Sequence, residues 1–419
     1  MPGRRAPGNT IVAMTTTTSA ERAQTLPGAD QVRQKVAELL AAHDPKTTGT
    51  REFLEARYDA GLAWVHHPPG EGGLGLDAHL QPLADSELAA AGAPRPDATR
   101  NIIGLGMAAP TVAIHGTPEQ RRRYLRPLYT GEEIWCQLFS EPGAGSDLAA
   151  LATKAVRDGD EWVVNGQKVW TTLAHAARWG LLVARTDPDQ PKHRGLTYFV
   201  CDMQAPGVEV RPLRQLTGEA EFNEVYLNDV RLSDDLRLGE VGDGWRVAMT
   251  TLMHERVAIG GGRAVRGSGS IGAAVRAWKE YGDGDPARRD GLMRLWVEAE
   301  VVRLTNLRAG QLRAKGTPGP EGSVAKLAFA ELNQRIYSFC MNLMGPAGTL
   351  YREGGYDMRR PEEVSFTEGD PRHLFLRVRA NSIEGGTSEV LRNILGERVL
   401  GLPGEPRVDK DLPWREVPR

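Results

Sequence analysis

Several features that would place this sequence in a specialised class of protein are missing or rare. The 419 residues include only 3 cysteines, at positions 136, 201 and 340, whose wide spacing indicates reduced thiols rather than a metal site. The formal net charge of -2 argues against a nucleic-acid-binding protein, because neutralising phosphates needs a basic surface. Since no apolar run reaches about 18 residues, the sequence predicts no membrane span. We therefore expect a cytoplasmic globular protein.

Signals for export and for a metal ion are also lacking. Residues 1–27 are polar and lack the apolar stretch of a secretory signal, so we predict a disordered tail. His175, His193 and His254 have spacings that fit neither His-x₃-His nor His-Glu-x-x-His, and we expect no metal ion.

What the sequence does contain is a change of hydrophobic period along the chain. Apolar residues recur at helical spacing in the first and last parts, as at Val32, Val36 and Leu39, whereas the central part alternates with a period of two. We therefore predict a tail at 1–27, an N-terminal helical domain at 28–135, a central β-domain at 136–240, a C-terminal helical bundle at 241–401 and an arm at 402–419.

Local signals refine this division. Thr117, followed by Pro118 and by Gln120 three positions after the cap, predicts a capping box at the start of a helix. The dipeptide Asn165-Gly166 between two alternating segments predicts a hairpin turn. In the bundle, long periodic segments predict four helices, at 245–281, 287–314, 322–344 and 387–400.

Two short motifs carry residues suited to binding a flat aromatic ligand. They are Ser140-Glu-Pro-Gly-Ala-Gly-Ser-Asp147 and Asn165-Gly-Gln-Lys-Val-Trp-Thr-Thr172. A ring system as wide as a flavin needs an apolar wall, which Trp170 offers, and directed hydrogen bonds, which Ser140 and Thr172 offer. By residue type alone, the same motifs also fit a β-turn followed by a strand with a core tryptophan.

In order and spacing, these motifs and the upstream run Gly116-Thr-Pro-Glu-Gln120 resemble the acyl-CoA dehydrogenase family. The resemblance implies FAD as cofactor and an α+β multidomain fold. That fold has an N-terminal α-helical domain, a central β-barrel or sandwich and a C-terminal four-helix bundle. Two departures stand out. Ser140 replaces the usual threonine and keeps the hydroxyl, and Trp278–Gly284 replaces the usual Arg-x-x-Phe-Gly element.

The resemblance also assigns site residues. Ser140 and the adjoining backbone correspond to the flavin-pyrimidine contacts, and Trp170 and Thr172 to contacts near flavin N5. Ser146 and Arg256 correspond to contacts with the acyl-CoA. The full set of cofactor-binding residues implied in this way is Gln137, Phe139, Ser140, Trp170, Thr172, Gly345, Thr387 and Glu389.

The position of the catalytic base departs from the family's commonest pattern. Most members carry it in a C-terminal loop that here reads Glu384-Gly385-Gly386-Thr387, where the usual base position is Gly385. In a minority the base precedes an arginine on the first bundle helix, as Glu255 precedes Arg256 here. In a helix Glu255 would interrupt an apolar stripe, and burial of a carboxylate raises its pKa towards the range that suits a general base. Glu384, no functional base, and a purely structural ion pair of Glu255 are the alternatives.

The resemblance implies oxidation of a saturated acyl-CoA to the trans-2-enoyl-CoA, as in fatty-acid β-oxidation. The base would remove the α-proton while FAD accepts a hydride, and an electron-transfer flavoprotein would then accept the electrons. We expect a homodimer or homotetramer. Two alternatives remain open. One is an oxygen-using acyl-CoA oxidase or flavin monooxygenase on the same scaffold, and the other is a silent subunit that shares an FAD site in a hetero-oligomer.

Overall fold

The computed structural model describes residues 26–260, 265–314, 320–351, 358–364, 369–406 and 409–417, with the backbone alone at 256–260 and 313–314. Nearly all of the tail predicted at 1–27 lies outside these residues. The chain divides into two compact units, one ending at Arg95 and the other starting at Pro96.

The first unit is helical. Its helices are α1 (Ala29–Ala42), α2 (Thr50–Asp59) and α3 (Gln81–Ala90). Val32 and Val36 of α1 are buried against Phe53 of α2 and Leu83 of α3, so the helical spacing of these apolar residues is confirmed.

The second unit begins with more helix. A π-helical turn (Gly104–Ala108) leads directly into α4 (Ala109–His115), and α5 (Pro118–Thr130) follows. The predicted capping box is confirmed, because Thr117 Oγ1 accepts a hydrogen bond from Gln120 N at 3.2 Å. The Gln120 side chain in turn accepts one from Thr117 N at 2.9 Å.

A seven-stranded mixed sheet forms the middle of the second unit. The strand order is β1-β4-β2-β3-β7-β6, with β5 also paired to β4. β1 runs parallel to β4, whereas β5, β6 and most remaining pairs are antiparallel. Its strands are β1 (Trp135–Leu138), β2 (Lys154–Asp158), β3 (Glu161–Thr172), β4 (Trp179–Arg185), β5 (Leu196–Asp202), β6 (Val208–Pro212) and β7 (Phe222–Ser233).

The hairpin predicted at Asn165-Gly166 is wrong. Both residues lie inside the continuous strand β3, at a register shift against β7, and the hairpin turn lies between Asp158 and Glu161 instead. Gly166 serves a close approach to Thr153, the residue directly before β2, rather than a turn. A Cβ at Gly166 would lie 2.2 Å from Thr153 Oγ1.

Helices again make up the C-terminal part: α6 (Gly244–Gly260), α7 (Ser270–Tyr281), α8 (Pro286–Ala314), α9 (Glu321–Met344), α10 (Pro371–Arg377) and α11 (Ser388–Ile394). The single helix predicted at 245–281 is wrong, because it is divided into α6 and α7. Gly267 and Gly269, just before α7, have φ values of 76° and 68°, which a right-handed helix does not allow. The predicted order of helical, β and helical parts is confirmed.

Residues 409–417 lie against the sheet. Trp414 Nε1 donates to Ala150 O at 3.1 Å, and the Trp414 ring lies under the guanidinium of Arg185. Lys192 Nζ lies 2.7 Å from both Asp409 and Asp147, so it joins this segment to the end of the first motif.

Among the described helices, none is both long and apolar enough to cross a bilayer. The residues that the structure describes, in helices or elsewhere, hold no cluster of three or more His, Cys, Asp or Glu side chains that could bind a metal ion.

Candidate active site

The first motif forms a tight loop directly after β1. Glu141 N donates to Ala144 O at 3.1 Å and Ala144 N to Glu141 O at 3.0 Å, which closes a turn with exposed Pro142 and Gly143 at its tip. Ser146 is exposed just beyond the turn. Phe139, directly before the motif, is buried with its ring edge-to-face against Tyr198 and belongs to the core.

A fully buried lysine braces this loop from beneath. Lys168 Nζ of β3 donates to Glu141 Oε1 at 2.9 Å, to Phe139 O at 3.0 Å and to Val183 O at 2.9 Å. An ammonium group has three donors, and each of these is used. Lys168 thereby ties together the loop, β3 and β4.

The carboxylate of Glu141 is equally well satisfied. It accepts hydrogen bonds from Ala152 N at 2.6 Å and Thr153 N at 2.9 Å, in addition to Lys168. Burial alone would raise the pKa of Glu141, but Lys168 and these donors hold that pKa below its usual value. Burial lowers the pKa of Lys168, and Glu141 opposes that shift. We conclude that this is a complete buried ion pair.

Trp170, two residues after Lys168 on β3, has an unusual backbone conformation. A register shift between Lys168 and Thr171 interrupts the pairing of β3 with β7, and Trp170 has a φ of 61°. Bulges of this kind redirect a side chain, and positive φ in a bulky residue is a feature of functional sites. The indole is 59% exposed and makes a T-shaped contact with the ring of Phe222, with 5.8 Å between the ring centroids.

The motif residues Ser140 and Trp170 are brought together by the backbone. Val169 N donates to Ser140 O at 2.9 Å, which sets the loop beside the bulge. Thr172 is half-buried two residues beyond Trp170 and lies opposite Phe222 on β7. An exposed aromatic ring, with hydroxyl-bearing residues next to it in the strand and in the paired loop, is a surface of the kind that the flavin ring of FAD requires.

Glu255 reaches the same region from the bundle. It lies on α6, is half-buried, and its Oε2 accepts a hydrogen bond at 3.3 Å from Gln137 Nε2 of β1. One turn earlier, Thr251 is fully buried, and its hydroxyl lies 2.9 Å from both Tyr198 Oη and Thr111 Oγ1. Burial raises the pKa of Tyr198, which keeps its hydroxyl protonated. These contacts fix α6 against β5 and α4.

Only part of the apolar stripe predicted around Glu255 lies among the residues whose side chains the structure describes. Ala248 is buried and Leu252 is half-buried, so the carboxylate does extend a row that faces the interior. The side chains of Ile259 and Arg256 are outside what the structure describes.

Glu384, the competing candidate for the base, is engaged elsewhere. Its Oε2 lies 3.1 Å from Arg377 Nη2, and its Oε1 accepts from Asn381 Nδ2 at 2.6 Å. Arg377 is itself buried and lies 2.8 Å from Glu221. The usual base position, Gly385, has a φ of 65°, a conformation that favours glycine.

The remaining predicted residues lie on the bundle. Thr387 is the N-cap of α11, where its Oγ1 accepts from Val390 N at 3.1 Å. Gly345 ends α9 with a φ of 55° and is exposed, and Glu389 is exposed near Arg392. Within the described ranges, no hydrogen bond joins Gly345, Thr387 or Glu389 to the Ser140 loop.

Lys168 and Lys326, two buried lysines that hold the loops of the site, were not identified from the sequence. Lys168 lies inside the second motif, and a lysine at an inward position of a strand was the available signal. Lys326 is a buried lysine of the bundle, and its Nζ donates to Asn381 O at 2.9 Å and Gly386 O at 2.6 Å. It lies in a helix whose pattern gives no indication of the loop it holds.

Three family models match nearly the whole chain. Their descriptions and matched residues are acyl-CoA dehydrogenase N-terminal domain at 28–132, middle domain at 136–230 and C-terminal domain at 242–400.

The curated relatives reported next are also named acyl-CoA dehydrogenases. Acyl-CoA dehydrogenase FadE34 of Mycobacterium tuberculosis is 42% identical over 374 residues, which cover 89% of this chain and 48% of FadE34, so the chain spans about half of that relative. Acyl-CoA dehydrogenase IpdE1 of the same organism is 40% identical over 349 residues, which cover 83% of this chain and 86% of IpdE1.

Solved structures share the fold. The ChsE4-ChsE5 complex from Mycobacterium tuberculosis matches with 30% identity and a TM-score of 0.66, over 94% of this chain and 100% of that chain. The Tcur3481-Tcur3483 steroid ACAD matches with 26% identity and a TM-score of 0.68, over 92% of this chain and 96% of that chain.

Proposed function

Since the chain belongs to the acyl-CoA dehydrogenase family of FAD-dependent oxidoreductases, we propose that it oxidises a saturated acyl-CoA to the trans-2-enoyl-CoA with Glu255 as the base. One observation carries the assignment of the base. Glu255 is half-buried on α6 and is bound by Gln137, a residue of the strand that leads directly into the Ser140 loop. The carboxylate therefore lies beside the motif that would hold the flavin.

In this proposal each of the site residues has a separate role. FAD, when bound, supplies the hydride acceptor. Trp170 offers an exposed aromatic face for its ring, and Ser140 and Thr172 offer hydroxyl groups at its edge. Glu255 removes the α-proton of the thioester, a role that a partly desolvated carboxylate suits. Ser146, exposed at the end of the loop, and Arg256 contact the acyl-CoA in this proposal.

The surroundings of Glu384 support this choice of base. A base must be within reach of the substrate's α-carbon and must not be held by stronger partners. Glu384 is bound by the buried guanidinium of Arg377 and by Asn381, which suits a structural role. The bundle residues Gly345, Thr387 and Glu389 are proposed to contact the remainder of FAD, and Thr387 does so from a helix N-terminus that favours a diphosphate.

Anaerobic bleaching of the flavin by acyl-CoA tests the proposal. Glu255→Gln keeps the shape of the side chain and removes the base. It should retain yellow FAD while the bleaching rate falls by roughly 10²–10⁴-fold. Glu384→Gln is the matched control, and its rate per bound flavin should stay near that of the wild type.

Two results would contradict the assignment. Normal bleaching by Glu255→Gln would remove Glu255 from the mechanism. Loss of bleaching in Glu384→Gln, with FAD still bound, would move the base to the C-terminal loop. Rapid oxygen consumption during turnover by the wild type would instead indicate an acyl-CoA oxidase or a flavin monooxygenase.

The substrate class and electron acceptor extend the proposal. One structural neighbour is described as a steroid ACAD, which supports placing steroid-derived acyl-CoAs beside straight, branched and cyclic ones in the bleaching panel. An electron-transfer flavoprotein is the proposed acceptor, and the cytoplasm is the proposed compartment. Reduction of an added electron-transfer flavoprotein, coupled to enoyl-CoA formation, checks the acceptor.

The proposed assembly is a homodimer or homotetramer, and one observation favours a second possibility. Two of the solved structures carry paired names, ChsE4-ChsE5 and Tcur3481-Tcur3483, which supports assembly with a related second chain. In that case this chain could share an FAD site in a hetero-oligomer. The mass of the purified protein and its FAD content, measured with this chain alone, distinguish the two assemblies.

A further inference from the structure

Gln137 has a contact that its expected role at the flavin does not explain. It is a half-buried residue of the short strand β1, where it lies opposite Leu181 of β4. Its side-chain Nε2 donates to Glu255 Oε2 at 3.3 Å, across 118 positions of sequence. Its other polar atom, Oε1, is buried and has no hydrogen-bond partner among the described residues.

The amide group suits a neighbour that gains a proton. A neutral amide donates to a carboxylate without supplying a positive charge that would oppose protonation. When the carboxyl group is protonated, the same amide can rotate and accept a hydrogen bond through Oε1. Gln137 can therefore bind Glu255 before and after the proton is transferred, which a lysine or arginine cannot do because neither has an acceptor.

The backbone around Gln137 makes this contact a rigid one. Its neighbours Cys136 and Leu138 are fully buried, and β1 pairs with β4 along its whole length. Glu255 belongs to α6, and the Thr251 hydroxyl of the same helix fixes α6 to Tyr198 and Thr111. The hydrogen bond thus joins two elements that are each anchored independently.

We propose that Gln137 is a positioning residue for the base: it holds the Glu255 carboxylate in the orientation that proton abstraction requires. This inference rests on the proposed role of Glu255. It assigns to Gln137 a function towards the carboxylate that is separate from any contact with FAD. Small errors in the placement of a catalytic group are costly, since correct alignment accounts for a large share of an enzyme's rate enhancement.

Gln137→Met tests the proposal, because methionine keeps the length and most of the volume but cannot make the hydrogen bond. Gln167→Met is the matched control. Gln167 is also a half-buried glutamine on a strand of the same sheet, and its Nε2 donates to a glutamate, Glu224, at 3.2 Å. Both variants therefore lose an amide-to-carboxylate bond in the same sheet; Gln167→Met also loses a bond to Tyr226 Oη at 3.1 Å, and only Gln137→Met loses its bond at the proposed base.

Anaerobic bleaching with increasing acyl-CoA separates the limiting rate from the half-saturation concentration. In Gln137→Met the limiting rate should fall by about 10- to 100-fold, because a hydrogen bond to a charged group and its alignment are both lost. The half-saturation concentration and the FAD content should change little. The isotope effect with α-deuterated acyl-CoA should rise as proton abstraction becomes slower. Gln167→Met should match the wild type in all of these.

Each other outcome has a definite meaning. If Gln137→Met bleaches at the wild-type rate with an unchanged isotope effect, Gln137 only packs against Glu255 and the inference is wrong. If Gln137→Met loses FAD but keeps its rate per bound flavin, Gln137 serves the cofactor, and the inference is again wrong. If the wild type is not bleached by any acyl-CoA, the proposed function fails first, a result that the wild type alone reveals.

Discussion

The two loops that carry the family motifs are each braced by a buried lysine, but the bonds of the two braces differ. In the sheet, Lys168 binds the carboxylate of Glu141 together with two backbone carbonyl groups. In the bundle, Lys326 donates to the backbone carbonyl groups of Asn381 and Gly386. The sheet loop thus depends on a buried ion pair, whereas the described bonds of the bundle brace go to neutral groups.

The carboxylates near these loops also differ in the charge of the side chains that bind them. Glu141 and Glu384 are held by the cationic side chains of Lys168 and Arg377. Among the described contacts of Glu255 is a hydrogen bond from a neutral amide, that of Gln137. A carboxylate that must gain a proton during turnover benefits from a neutral partner, because a cation would stabilise its ionised form. The variants below test how far the two braces differ.

The largest effect on stability is expected for Lys168→Met. This change leaves the Glu141 carboxylate buried without its cation, which costs about 3–5 kcal/mol. Urea denaturation measures the loss, and absorbance of bound flavin reports whether the Ser140 loop still retains FAD.

The double variant Lys168→Met/Glu141→Gln is the control for the ion pair. It removes the uncompensated charge, so part of the lost stability should return. A double variant as unstable as Lys168→Met alone would mean that the packing and carbonyl contacts of Lys168, rather than the charge pair, stabilise the loop.

A smaller effect is expected for Lys326→Met. The carbonyl groups of Asn381 and Gly386 lose a donor, which costs about 1–3 kcal/mol. Hydrogen exchange should show the change at Val390 N, which is bonded to Thr387 just after the loop. Lys279→Met, on an exposed position of α7, should shift stability by no more than about 0.5 kcal/mol. If Lys326→Met and Lys279→Met changed the stability equally, Lys326 would not be stabilising the loop.

The smallest effect is expected for Gly385→Ala in the same loop. A φ of 65° is unfavourable for alanine and should cost about 1–2 kcal/mol. Gly322→Ala is a control of opposite sign, because Gly322 lies in helix α9 with nothing within 4 Å of an added Cβ. It should stabilise the protein by about 0.5–1 kcal/mol. Thermal denaturation of both variants measures the contrast, and a stabilising Gly385→Ala would contradict the strain argument.

The sequence was most informative where the determining contacts are local. The capping box at Thr117 needs only residues three apart, and it was predicted correctly. The helical spacing of Val32 and Val36 likewise identified buried positions. The fold class followed from the motifs through the family resemblance.

The errors have different physical causes: long-range pairing overrides local turn propensity in one case, and glycines interrupt a helical pattern in another. Asn165-Gly166 is a strong turn signal, yet pairing with β7 keeps both residues in a strand. Gly267 and Gly269 interrupt what the apolar spacing predicts as one helix. The bond between Gln137 and Glu255 joins positions that no local pattern connects.

The contact between residues 409–417 and the sheet affects how the protein should be handled in the laboratory. Lys192 is shared by Asp409 of that segment and Asp147 of the first motif, and Trp414 binds Ala150 close by. A purification tag that displaced this segment would take Asp409 away from the lysine that also binds Asp147. Cleavable tags at this end should therefore be removed before FAD or acyl-CoA titrations, since otherwise the measured affinities would include the disturbance of that lysine.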